Sequence, residues 1–256
     1  MSEKREKPEM VKNQAENVID TFSIADSLPS VLGETMSILD ALHPNASLNC
    51  KLNILLAKAG QMVSCKRIKF RELSNEKLIN HYAINLMSSG LGKDRICDDL
   101  DKYFFRLFIV YFKDKARDYL LKQEEKINQD AIEKFNLDKD RKQYIKEQMA
   151  ELRAIELEVS KATPEGFFED AKTLENAGFG SIFVKIAEFA LHLQSKNSEN
   201  VELTNLLFEA YDGKIKTKSI KYGKRTNSIE NMPVNTLLHS DYTLFKSDLK
   251  GLFTTI

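Results

Sequence analysis

Met87-Ser88-Ser89-Gly90-Leu91-Gly92-Lys93-Asp94 is the stretch on which the reading of the fold turns. It follows the apolar run His81-Tyr82-Ala83-Ile84-Asn85-Leu86 and precedes the amphipathic Arg95-Ile96-Cys97-Asp98-Asp99-Leu100, so a buried strand is expected to turn sharply into a helix there. A phosphate-binding loop needs that context. Backbone N–H groups of a glycine-rich turn, with the positive end of the following helix, can surround the phosphates, and a lysine just inside the helix adds a movable charge near the terminal ones. Ser89, Gly90, Leu91, Gly92, Lys93 and Asp94 are therefore the candidate nucleotide-binding residues. Measured against G-x-x-x-x-G-K-[ST], Met87 stands where the first glycine belongs, and Asp94 where a hydroxyl would hold magnesium. The plain alternative is an ordinary strand-to-helix connection, in which the glycines supply backbone freedom and Lys93 is solvated.

Outward from the loop, composition bounds the answer. The chain has 256 residues, 42% of them hydrophobic, enough for a substantial core in one large domain or two small ones. Its 38 Lys and Arg balance 38 Asp and Glu, so no global field draws it to nucleic acid or an anionic membrane, and any such contact needs a local patch. The charged start, Met1-Ser2-Glu3-Lys4-Arg5-Glu6-Lys7-Pro8, lacks the apolar core of a signal peptide, and no apolar run is long enough to span a bilayer. A cytoplasmic protein with no membrane partner is expected. Cys50, Cys65 and Cys97 are odd in number and lack C-x-x-C spacing, and the four histidines are scattered, so reduced thiols are expected and no side-chain metal site.

Before the loop, a mostly helical region over 1–75 is expected: short helices up to residue 40, an apolar helix over 48–62 closed near Gly60, and an edge strand over 63–70. The remainder, 76–256, forms the second domain. Ile96, Leu100, Phe104, Leu107, Phe108 and Tyr111 keep helical spacing after the loop, and a charged continuation runs to Phe135. After a turn at 136–138, Ile145, Met149, Leu152, Ile155 and Val159 form a second helical stripe, giving an antiparallel hairpin over about 95–160. Thr163-Pro164 opens another helix, ended by Gly178 and Gly180, and Ser181-Ile182-Phe183-Val184-Lys185-Ile186 reads as a strand leading to Ala187-Glu188. A helix follows over 199–211.

Residues 214–225 hold Lys216, Lys218, Lys221, Lys224 and Arg225 with no acid among them and Tyr222 interleaved. Such a segment can track single-stranded DNA while the aromatic stacks on a base; the alternative is a solvated basic loop. Met232-Pro233-Val234-Asn235-Thr236-Leu237-Leu238-His239-Ser240-Asp241 reads as a third core strand, with His239, Ser240 and Asp241 at the end where a terminal phosphate would be sensed.

Taken together, the loop at Gly90-Leu91-Gly92-Lys93-Asp94, then Thr163-Pro164-Glu165-Gly166, an apolar helix, Ala177-Gly178-Phe179-Gly180, and Ser181-Ile182-Phe183-Val184 leading to Glu188, resemble P-loop ATPases of phage and mobile-element replication. That family has long been catalogued as a domain of unknown function and is allied to primase–helicase proteins. The resemblance runs from about residue 48 to the C-terminus. It implies a RecA-like or AAA+-like three-layer α/β core, ATP with Mg2+, and a helicase-like role in DNA replication in the host cytoplasm. It also implies that Glu188 polarises the attacking water, whereas Ala187 takes the place of the acid that supports magnesium. The departures at Met87, Asp94 and Ala187 point to hydrolysis that is weak or lost. The rival is a non-catalytic protein–protein interaction module on a degenerate ATPase fold.

Only 244–252 remains for a further helix, and no arginine follows Arg225. The sheet is therefore expected to be incomplete, with an uncovered edge and an exposed apolar face around Leu237, Leu244 and Leu252. A second polypeptide, or a homo-oligomer, would complete it.

Overall fold

The structure, a computed structural model, describes residues 30–72, 75–87, 90–160, 163–194, 198–212, 214–216, 228–230 and 232–241. The chain divides into two compact units, 1–44 and 45–256. The described part of the first contains helix α1 (Ser30–Leu42), where Thr35 Oγ1 donates to the Val31 carbonyl at 2.8 Å. The short helices expected before residue 30 lie outside the described residues.

In the second unit, Ser47 caps α2 (Leu48–Cys65): its extended backbone lets the hydroxyl accept from Cys50 N at 3.2 Å. The helix does not close near Gly60 as expected. A Cβ there would come within 3.2 Å of His81 Cβ, so the glycine serves close packing and the helix continues for five more residues. The edge strand expected over 63–70 is corrected accordingly. β1 (Lys69–Glu72) instead pairs antiparallel with β2 (Asn75–Leu78) as a separate two-stranded ribbon.

β3 (Tyr82–Leu86) enters the glycine-rich turn, and α3 (Lys93–Asp99) leaves it. The unbroken helix expected after the loop is interrupted by a π turn at Leu100–Phe104, closed by Phe105 N donating to Leu100 O at 2.9 Å, before α4 (Arg106–Lys134) resumes. The wider turn accompanies an ion pair between Asp101 and the buried Lys58 of α2 at 2.8 Å. Across a short turn, α5 (Asp138–Glu151) folds back, with Arg141 Nε on the Phe135 carbonyl at 2.7 Å and the Phe135 and Tyr144 rings 5.4 Å apart.

The second helical stripe does not reach Val159. α5 ends at Glu151, and Val159 instead bridges the edge of β4 (Ile182–Ile186), donating to Phe183 O at 2.9 Å and accepting from Lys185 N at 3.0 Å. The spacing of Leu152, Ile155 and Val159 satisfies a helix. Two backbone bonds to a buried strand and a place in the core outweigh that local preference. Between them, α6 (Pro164–Asn176) starts as its sequence predicts, Thr163 Oγ1 accepting from Gly166 N at 3.1 Å with Pro164 in the first turn. After β4 come α7 (Phe189–Gln194), α8 (Ser198–Glu209), a 3-10 turn (Ala210–Asp212), the antiparallel pair β5 (Lys214–Lys216) and β6 (Ser228–Glu230), and β7 (Val234–Ser240).

The main sheet is parallel, in the order β3-β7-β4. Successive residues of β7 point to opposite faces. On one face the ring of His239 meets Asn85, itself bonded to Asn53 of α2; on the other, Ser240 Oγ accepts from Ala190 N of α7. Helices therefore cover both faces of a three-layer α/β arrangement. The core holds Ile182, Val184, Leu238 and the stacked pair Phe112 and Phe179, whose centroids are 4.4 Å apart. At the entry to β4, Gly180 N donates to Cys65 O at 2.9 Å, and a Cβ on Gly180 would lie 2.4 Å from the Ser64 carbonyl oxygen.

The expected exposed face around Leu237 is corrected. Leu237 is fully buried, on the same face as His239, which is the face α2 covers. Leu244 and Leu252 lie outside the described residues. The open side lies at β3: among the described residues no strand pairs with its outer side, and Ile84 (45%) and Leu86 are exposed. No described helix is long and apolar enough to cross a membrane.

Candidate functional site

Parallel strands end on the same side, so the C-terminal ends of β3, β7 and β4 open on one edge of the sheet, with Leu86 opposite Ser240 and Ile186 opposite Leu238. Crevices outside such ends are where α/β sheets bind ligands. Met87, in the place of the first glycine, is buried, and its N–H donates to Ser240 O at 3.0 Å. Ser88 and Ser89 lie outside the described residues. Gly90 and Gly92 have φ of 83° and 82°, and an added Cβ on either would meet nothing within 4 Å, so the turn demands glycine for backbone conformation and not for room. Leu91 is exposed. Lys93 is buried, its ammonium donating to Met87 O at 3.1 Å and Ser240 O at 3.4 Å. The solvated lysine of the plain alternative is not what the fold contains.

From Asp94 a line of charges runs behind the loop. Lys185 Nζ lies 3.2 Å from Asp94 Oδ1 and 4.0 Å from Glu158 Oε2; Glu158 also pairs with Lys58, and Lys58 with Asp101 at 2.8 Å. Burial works against the charge on Lys58, whose side chain is 1% exposed, but Glu158 and Asp101 outweigh it and raise its pKa. Lys185 is likewise raised: burial opposes its charge, and Cys97, Glu158 and Asp94 overcome that.

A second chain is neutral and directional. Asn53 Nδ2 donates to Asn85 Oδ1 at 2.7 Å, which leaves Asn85 Nδ2 facing His239 Nδ1 at 3.4 Å. Nδ1 is then the acceptor, and the ring proton sits on Nε2, 3.8 Å from Cys97 Sγ. Burial pushes the pKa of His239 down to about 4 and that of Cys97 up to about 12. Cys50, Cys65 and Cys97 are all free, buried thiols with raised pKa values, Cys65 reaching about 11.

Of the three candidate phosphate-sensing residues, His239 is committed to this internal chain, Ser240 binds Ala190 N through its hydroxyl, and Asp241 is half-buried beyond the strand. Ala187 and Glu188 follow β4, Glu188 half-buried. Lys216 falls in β5; Lys218, Lys221, Tyr222, Lys224 and Arg225 lie outside the described residues, on the chain between the paired strands β5 and β6.

Lys58, Asp101, Glu158 and Lys185 were not singled out from the sequence, although two signals were there. Lys58 falls on the inward face of α2 with Ile54, Leu55 and Gln61, and Lys185 interrupts the apolar Ile182-Phe183-Val184-Lys185-Ile186. A lysine in such a position needs acceptors brought to its ammonium, and for Lys58 and Lys185 these are carboxylates.

The magnesium implied by the resemblance does not fit these residues. Ala187 offers no donor, Asp94 is already paired with an ammonium, and no three His, Cys, Asp or Glu converge among the described residues. The chain matches no protein-family model, no curated protein and no solved structure.

Proposed function

We propose that this chain binds a nucleoside triphosphate at the carboxyl edge of its sheet, as a helicase-like replication protein of a phage or mobile element in which ATP hydrolysis is weak or lost. One observation carries the reading. Three segments chosen from sequence for phosphate binding, water orientation and phosphate sensing lie far apart in the chain, yet they are the neighbouring parallel strands β3, β4 and β7 and open on one edge. Lys93 now donates to two neutral carbonyls, and an anionic phosphate offers it a stronger, charge-assisted bond. The left-handed Gly90 and Gly92 shape the turn that carries it. Glu188 would orient water, and Asp241 lies half-buried just beyond β7 at the same edge.

The absence of a carboxylate at Ala187 favours binding over turnover. The motif order described from the sequence gives the nucleotide its context, DNA replication, with the basic residues from Lys216 to Arg225 toward single-stranded DNA. Titrating ATP into the wild type and Lys93→Ala tests the reading. Loss of a charge-assisted phosphate bond worth about 1.5–3 kcal/mol should weaken binding by about tenfold or more. Equal affinities refute it.

The interaction-module reading is favoured by a different observation. The tip of the α4–α5 hairpin exposes Ile132 (60%) and Leu137 (67%), an apolar pair suited to covering by another protein. In that case ATP gives no titration signal at all.

A further inference from the structure

Resting on the nucleotide reading above, we propose that Lys185 does the work of the missing cation, so that the triphosphate is bound without magnesium. Asp94 follows Lys93 directly, at the loop position from which a hydroxyl would hold the metal, and the second metal-supporting position is Ala187. Lys185, two residues before Ala187, extends its ammonium to 3.2 Å from Asp94 Oδ1. A fixed positive charge from β4 thus stands beside the loop where a divalent cation would otherwise join β4 to the loop.

Two further features fit this role. A phosphate drawn to Lys93 meets the Asp94 carboxylate one residue away, and like charges at that range repel unless one is neutralised. Lys185 neutralises it. Lys185 also has a donor to spare, because its other carboxylate, Glu158, is 4.0 Å away and is held separately by the buried Lys58. With Asp94 kept as one partner, the three-donor ammonium of Lys185 can also reach a phosphate oxygen, giving the ligand a second charge-assisted contact beside that from Lys93.

The test is calorimetric titration of ATP into the full chain, once with excess Mg2+ and once in EDTA, for the wild type, Lys185→Met and Lys185→Arg. The wild-type affinity should agree within about twofold between the two conditions. Lys185→Met should bind about tenfold more weakly in EDTA, and Lys185→Arg, which keeps the charge, should recover most of that. If the wild type binds tenfold or more tightly with Mg2+, or if Lys185→Met binds as the wild type does, the assignment of Lys185 is wrong while the nucleotide site stands. Should Lys185→Met fail to fold, the wild-type comparison alone decides. Absence of ATP binding in both conditions overturns the nucleotide reading itself, and this inference with it.

Discussion

Replacing His239 with glutamine should abolish a large part of the fold's acid sensitivity between about pH 6.5 and pH 4. The ring is buried between Asn85 and Cys97, and burial lowers its pKa from 6.5 to about 4, helped by Lys185 and Lys93 and opposed by Asp94 and Glu158. In the unfolded chain the ring takes up its proton near 6.5, and in the folded chain only near 4. Between those values the unfolded state holds more protons, so the stabilisation is complete above pH 6.5 and is lost as the pH falls. At ~1.4 kcal/mol per unit, the loss integrates to ~1.4 kcal/mol by pH 5.5 and ~3 kcal/mol at pH 4. Urea unfolding of wild type and His239→Gln from neutral pH downward measures it. Carboxylates titrate in both proteins and cancel in the difference, and the glutamine amide can still accept from Asn85. A difference in unfolding free energy that stays constant with pH would show that the buried ring is not what the acid attacks.

Three further outcomes are expected. Lys58→Met leaves Asp101 and Glu158 without their shared cation, and should cost roughly 2–4 kcal/mol in urea unfolding, a little under the fully buried case because both carboxylates keep some water; a loss under about 1 kcal/mol would mean the pair is effectively solvated. Gly180→Ala drives a Cβ to 2.3 Å from Arg67 Cγ and 2.4 Å from Ser64 O, and since the second is backbone the cost should exceed ~2 kcal/mol; a thermal midpoint close to wild type would contradict that packing. Changing Lys218, Lys221 and Lys224 together to Glu should weaken single-stranded DNA binding and flatten its log–log salt slope by about two units; an unaltered slope returns these lysines to a solvated loop.

The three parallel strands were legible because each is an apolar run of strand length bounded by turn residues, and the helix from Thr163 because its cap and proline are local signals. What failed were features decided by distant partners. Val159 keeps a helical stripe in sequence, and only β4, which follows it in the chain, shows that it is an edge residue. Gly60 looks like a helix terminator until His81 is brought against it. The same reason hid much of the site. Gly90, Gly92 and Lys93 form a contiguous signal, whereas the Lys58, Asp101, Glu158 and Lys185 network joins four separate stretches of chain, and its trace in sequence is only a lysine where an apolar residue belongs. His239 was legible as a polar residue at a strand end. Its inward commitment depends on Asn53, Asn85 and Cys97, none of them near it in sequence.

The three buried cysteines make the protein its own stopwatch. With Cys97 raised to about 12, only about one molecule in ten thousand carries its thiolate at pH 8, and all three cysteines are buried. An alkylating reagent therefore labels native protein only in the intervals when a segment opens, and the labelling rate counts those openings. Cys50 reports on the first turn of α2, Cys65 on its last, and Cys97 on the helix that leaves the glycine-rich turn, so peptide-resolved labelling of one untagged sample gives three local clocks without a single substitution.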